Sequence, residues 1–370
     1  MRNSSLPLLC RTELRARESL PSLLLRLSKE NGYDSRTMIA RICRERLTYQ
    51  DYVTRPTRSQ TYQVLENLVR IEAEKLYASS VHRLASAMTP ATYPSQLITL
   101  PSDQTVPVMS NGLLRRHTWP ESDAQFCPLC LRESVHHQLD WMPLAISVCL
   151  THRCLLVRGC PKCHENLAIA DLLKVRCAHC GFDLATASTV DVSIDKMGLL
   201  GQTTILSWLG LHPSPEHGDS LSDQSPSALY RFLDGLCRTI MRVRRVWPDL
   251  HQPPDGMDSQ LFPCTSKRDI TPAKAYILYT TAFQGVARWP SGFHDFLDAY
   301  RLRDGRTEKG YVYHDLYHIY VHWLEKAWRH SDFRFVQEAF DHYLLERYPD
   351  PLSRLRRGRE SSARKHRLPE

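Results

Sequence analysis

Residues 127–180 read CPLCLRESVHHQLDWMPLAISVCLTHRCLLVRGCPKCHENLAIADLLKVRCAHC, and they hold eight of the twelve cysteines in a chain of 370 residues. Three pairs have two residues between their members: Cys127 with Cys130, Cys160 with Cys163, and Cys177 with Cys180. A fourth pair is mixed, because CLTH sets Cys149 and His152 at the same spacing. Two intervening residues let a tight turn aim both donor atoms at one point. Zinc takes four such donors in a tetrahedron. Four two-ligand hooks therefore make two complete sites.

The sequential partition gives one site of Cys127, Cys130, Cys149 and His152, and a second of Cys160, Cys163, Cys177 and Cys180. The loops between paired hooks have 18 and 13 residues, both suited to zinc-ribbon-like fingers. A crossed arrangement, in which the first and third hooks share a metal, is the competing partition. Cys154 is left over, either as a small buried apolar residue or as a rival of His152 for the fourth position. Gly181 follows Cys180, where a knuckle often needs positive φ. Arg153, Arg158, Lys162, Lys174 and Arg176 lie close enough in sequence to offset the charge of the thiolates. Both shells are filled by protein, so two structural Zn2+ ions are expected, holding a segment with little apolar core of its own. In a reducing cytosol, disulfides explain the cluster less well.

The flanking sequence is helical in pattern. Residues 18–31, ESLPSLLLRLSKEN, carry Leu at 20, 23, 24, 25 and 27. Gly32 marks a stop, and Asp34 and Ser35 offer caps for a second helix through Met38, Ile39, Ile42 and Leu47. Helical spacing returns from Ser59 to Leu84. These elements predict an N-terminal helix-turn-helix-like bundle over residues 1–90, with arginines at 36, 41, 44, 46, 55 and 58 available for phosphates. Residues 91–121 are proline-rich and aperiodic and read as a linker or an irregular wrap. The tandem zinc-finger region spans 122–190. After a Ser/Pro/Asp-rich break, helical spacing over 227–247, 273–288, 312–328 and 333–346 predicts a C-terminal helical domain over 191–350. The fold class expected is mainly α with small zinc-ribbon β elements.

The net charge is +8. Residues 351–370 contribute seven Arg and Lys against two Glu, and they read as a disordered basic tail that can neutralise phosphates. A solvated end with no partner is the competing reading. No apolar run is long enough to span a membrane, and the N-terminus does not resemble a secretory signal, so a cytoplasmic location is expected.

Other chemistry is weakly signalled. Gly305 and Gly310 have phosphate-loop spacing, but Tyr311 and Val312 follow where Lys and Ser/Thr are needed. His314, His318 and His322 share a helix face without an evident outside ligand, so packing explains them better than a catalytic metal. The aromatics from Tyr311 to Trp328 suit helical packing, with base stacking or a partner surface as the alternative. No catalytic residues and no enzyme activity are expected.

The order CPLC, Trp141, SVCLTH, GCPKC and CAHCGFDL resembles the TniQ/TnsD family of transposon target-selection proteins. ESLPSLLLRLSKENGY and RWPSGFHDFLDAY (Arg288–Tyr300) add to the resemblance. It covers residues 15–185 well and the rest loosely. It implies an N-terminal helix-turn-helix domain, zinc fingers whose ligands are the eight residues above, and an adaptor role. Such adaptors link a target, either attachment-site DNA or an RNA-guided CRISPR effector complex, to an AAA+ ATPase that recruits the transposase. It further implies a bacterial cytoplasmic setting, nucleic-acid contacts and, for effector-bound members, head-to-tail homodimers. The long C-terminal extension of the larger attachment-site binders is missing, which favours the effector-bound class. The alternative is a sequence-specific DNA-binding protein, an attachment-site reader or a transcription regulator, with structural zinc fingers.

Overall fold

The computed structural model describes residues 8–33, 37–46, 51–89, 96–213, 221–242, 251, 254, 270–302 and 331–347. The described chain is mostly helical, with three two-stranded antiparallel sheets.

Helix α1 (Leu20–Glu30) starts with Pro21 near its N-terminus, where the missing N–H costs nothing. Its leucines 20, 23, 24 and 27 are fully buried. Helices α2 (Thr37–Arg46), α3 (Ser59–Val69) and α4 (Ala73–Ser79) complete the N-terminal bundle around Ile39, Tyr62, Leu65, Leu68 and Leu76. Residues 47–50, between α2 and α3, lie outside the described set. The continuous helical pattern expected over 59–84 is broken. Arg70 takes the left-handed conformation at φ 59, ending α3, and a 3₁₀ turn at Val81–Leu84 leads into the one-turn α5 (Ala85–Met88).

The segment expected as a linker carries regular structure instead. Strands β1 (Gln96–Thr99) and β2 (Thr105–Val108) form a hairpin, followed by α6 (Asn111–His117). Ile98, Leu100, Val106 and Val108 join the N-terminal core. Four-residue strands containing Pro107 are too short to show an alternating pattern, which is why the sequence reads as irregular.

The cysteine region contains β3 (Gln125–Phe126), α7 (Pro128–Glu133), β4 (Val148–Cys149), β5 (Cys154–Leu155), β6 (Val157–Arg158) and α8 (Ile169–Lys174). It shares one hydrophobic core with the C-terminal helices. These are α9 (Lys196–Trp208), α10 (Pro226–Arg242), α11 (Pro272–Ala287), α12 (Ser291–Leu302) and α13 (Arg334–Arg347). Helices α9 and α12 add to the expected set. α9 carries Gly198 and Gly201, poor helix formers, and apolar residues on several faces. Gly198 is required because Tyr276 of α11 occupies the space where a side chain would stand; its hydroxyl donates to Asp195 Oδ2 at 2.5 Å, while Asp195 Oδ1 caps α9.

Candidate metal centres

Each hook has its own local device. In the first, Cys127 is the N-cap of α7 with extended backbone, Pro128 starts the helix, and Cys130 follows one turn later. In the second, Cys149 ends β4 and the turn back to β5 carries His152; Arg153 closes it at φ 49. The third and fourth share one hydrogen-bond pattern. His164 N donates to Cys160 O at 2.9 Å and Cys160 N to Glu165 O at 2.8 Å. Gly181 N donates to Cys177 O at 2.9 Å and Cys177 N to Phe182 O at 3.0 Å. Gly181 has the positive φ its position suggested, 71°, and His164 adopts the same conformation at 61° without being glycine.

The fold brings the hooks together in the sequential partition, not the crossed one. The donor atoms of Cys127, Cys130, Cys149 and His152 lie within 4.8 Å of one another, and so do those of Cys160, Cys163, Cys177 and Cys180. A tetrahedron with metal–sulfur bonds of about 2.3 Å has sulfur–sulfur edges of about 3.8 Å and sulfur–nitrogen edges of about 3.5 Å. In the first cluster His152 Nδ1 lies 3.5 Å from Cys127 Sγ, 3.3 Å from Cys130 Sγ and 3.6 Å from Cys149 Sγ, while Cys130 and Cys149 Sγ are 3.6 Å apart. In the second, Cys160 and Cys180 are 3.6 Å apart and Cys163 and Cys177 3.7 Å. Both clusters have the size of a four-ligand metal shell. The first set, three thiols and an imidazole, and the second, four thiols, could each hold one metal ion.

Cys154 is outside the four converging atoms, with its Sγ 3.7 Å from Cys127 Sγ. The Cys127 thiol is pulled far down, first by hydrogen bonding from Cys130 and then from Cys149 and Cys154. Cys154 is pushed up, chiefly by its contact with Cys127. At the second cluster burial pushes Cys160 up, but the amides of Cys163 and Lys162 and the thiols of Cys163 and Cys180 outweigh it and bring the group down to about 7.

Glu133 was not anticipated. It closes α7 three residues after Cys130, and its Oε1 lies 2.9 Å from His152 Nε2. Burial lowers the pKa of His152, but Glu133 and Cys127 reverse this and raise it. A carboxylate on the far nitrogen holds the imidazole with Nδ1 facing the sulfurs. Its signal was its spacing, one helical turn beyond the hook.

Arg158, one of the five basic residues, has another task. Arg158 reaches Asp123 with two hydrogen bonds of 2.9 and 2.5 Å, donates to Ile270 O, and lies 3.9 Å over the Trp119 ring. It ties the metal region to the C-terminal helices. His314, His318, His322, Gly305, Gly310, the aromatics of 311–328 and the tail 351–370 lie outside the described residues. Among the described residues no helix is long and apolar enough to cross a membrane.

The Glu-Ser-Leu segment docks onto the metal region. Ser19 N donates to His137 O at 2.9 Å, Leu139 N to Arg17 O at 2.8 Å, and His137 N to Ser22 Oγ at 3.1 Å. Ser19 Oγ and His137 Nδ1 are 2.9 Å apart. Beneath this contact the buried Glu18 takes both arms of Arg26, each at 2.7 Å. The motif thus joins α1 to the loop after the first hook.

No curated protein matches the chain. A family model does: residues 9–156 match TniQ, from the arm before Glu18 through the first metal cluster. This stretch is a TniQ domain, a domain that implies an adaptor role in target selection for transposition.

Proposed function

We propose that the chain is a target-selection adaptor that links a targeting complex to an AAA+ ATPase, which in turn recruits a transposase. The observation that carries this reading is the TniQ domain over 9–156. The metal clusters support it, because each offers four protein donors and so leaves no position open for a substrate or an activated water. The ions are zinc, held by Cys127, Cys130, Cys149 and His152 and by Cys160, Cys163, Cys177 and Cys180. They fix the segment between the N-terminal bundle and the C-terminal helices, and the chain performs no catalysis. It acts in the bacterial cytoplasm. Its target is an RNA-guided CRISPR effector complex, or attachment-site DNA. Nucleic-acid contacts and pairing with a second copy belong to the same reading.

Co-expression with the ATPase and the effector complex of the same element, followed by affinity capture, tests it. Both are expected to be retained on the tagged chain. Retention of neither contradicts the adaptor reading. Retention of neither together with tight, unaided binding of one duplex at near-physiological salt favours an independent sequence-specific DNA-binding protein.

A further inference from the structure

A cleft of about 150 Å3 opens where the N-terminal arm, α4 and the loop after the first hook meet. Arg15, Arg17, Lys75 and Arg83 line it, against two carboxylates, Glu18 and Asp140. Both carboxylates are buried and already engaged: Glu18 by Arg26, and Asp140 by Arg17 at 2.8 Å. Arg15 and Arg83 are different. Arg15 donates to Val135 O at 2.8 Å and Arg83 to Gly210 O at 2.6 Å. Both are exposed, and among the described residues neither has a carboxylate within ion-pair distance. Carbonyls thus fix one edge of each guanidinium, and although the charge of Arg83 is felt by Asp140, neither arginine is held in an ion pair among the described residues. Arg17 is held at φ 57, unusual for a residue other than glycine, with its second nitrogen on Thr151 Oγ1 at 3.1 Å. Its side chain remains 40% exposed and that of Lys75 62%, the latter beside Glu72 at 3.0 Å in a solvated pair.

We propose that this cleft binds a phosphodiester of nucleic acid. The inference deepens the reading above and rests on it for the kind of partner. Arg17 shares its charge with Asp140 and Lys75 with Glu72, so Arg15 and Arg83, each anchored by a carbonyl, supply the surplus positive charge at the rim. The cleft is narrow and open to the surface, so it admits one phosphate of a strand lying across it. Arginine forks with one edge anchored present their remaining N–H groups to the two unesterified oxygens of a phosphodiester. The bound phosphate would sit where the Glu-Ser-Leu segment meets the metal region.

Fluorescence anisotropy of the full-length, zinc-loaded chain on labelled duplex DNA and single-stranded RNA of equal length, over 50–200 mM NaCl, tests this. The double substitution Arg15→Gln/Arg83→Gln is expected to weaken binding on the order of tenfold at the lowest salt and to reduce the slope of log affinity against log salt by about two. Arg15→Lys/Arg83→Lys is expected to keep most of the slope. Lys75→Gln, at an exposed position, is expected to lower the slope by about one and serves if the double variant loses zinc or melts early. Which probe responds separates a DNA partner from an RNA partner. Unchanged affinity and slope in all the Gln variants overturn the site. So does a wild-type chain that binds neither probe, including one that takes only inorganic phosphate or a phosphopeptide. Capture of the ATPase by the Gln variants separates the two ideas: capture with unchanged anisotropy removes the site and leaves the adaptor, whereas the expected anisotropy without capture does the reverse.

Discussion

His152 stands between two partners, with Nδ1 3.3 Å from Cys130 Sγ and Nε2 2.9 Å from Glu133 Oε1. With Nδ1 turned to the sulfurs, the ring proton belongs on Nε2, which donates to the carboxylate. Replacing Glu133 by Ala frees the ring to rotate. The first site should then bind metal on the order of tenfold to a hundredfold more weakly, while the second is unchanged. Competition with a chromophoric chelator, read as two separate steps, checks this.

The Glu18–Arg26 pair makes a second expectation. The two side chains are nearly buried, at 0% and 10% exposure. Glu18→Ala leaves a guanidinium inside without its anion, which costs about 3–5 kcal/mol. Urea denaturation should show that loss. Glu18→Leu combined with Arg26→Met should recover part of it, since neither charge is then stranded.

Two buried imidazoles set a pH dependence. Burial pushes His82 down to about 4 and His137 to about 3. Each is neutral when folded, and the unfolded chain takes up the proton first as pH falls below about 6.5. Their penalty is absent above that pH and grows as pH drops toward 4. The denaturation midpoint should therefore fall across this window, and His137→Gln should flatten the fall.

The third and fourth hooks differ at one backbone position. Gly181 at φ 71 has nothing within 4 Å of a would-be side chain, so Gly181→Ala should cost only the backbone strain, about 1–2 kcal/mol. His164 already bears that strain at φ 61, and His164→Gly should stabilise by up to about 1 kcal/mol. Thermal melts of the two metal-loaded variants should move in opposite directions.

The convergence of the hooks into two four-donor clusters was legible because two residues between donors leave few other uses for such pairs. The leucines of α1 were legible through their helical repeat. Contacts distant in sequence were not. Nothing local in Glu18 announces Arg26 eight residues on, or in Ser19 announces His137. The hairpin of Gln96–Thr99 with Thr105–Val108 is too short to carry a period. His164 hides a left-handed turn because only glycine advertises one. Glu133 was within reach, since a carboxylate one turn after a cysteine hook is a local signal.

The central claim is that eight side chains close two metal shells. Inductively coupled plasma mass spectrometry on freshly purified full-length chain tests it most directly. Two zinc ions per chain are expected, falling to one when Cys130 is replaced by Ser and, separately, to one when Cys163 is replaced by Ser. A wild-type chain with no bound zinc, or one whose two ions survive both substitutions, would contradict it.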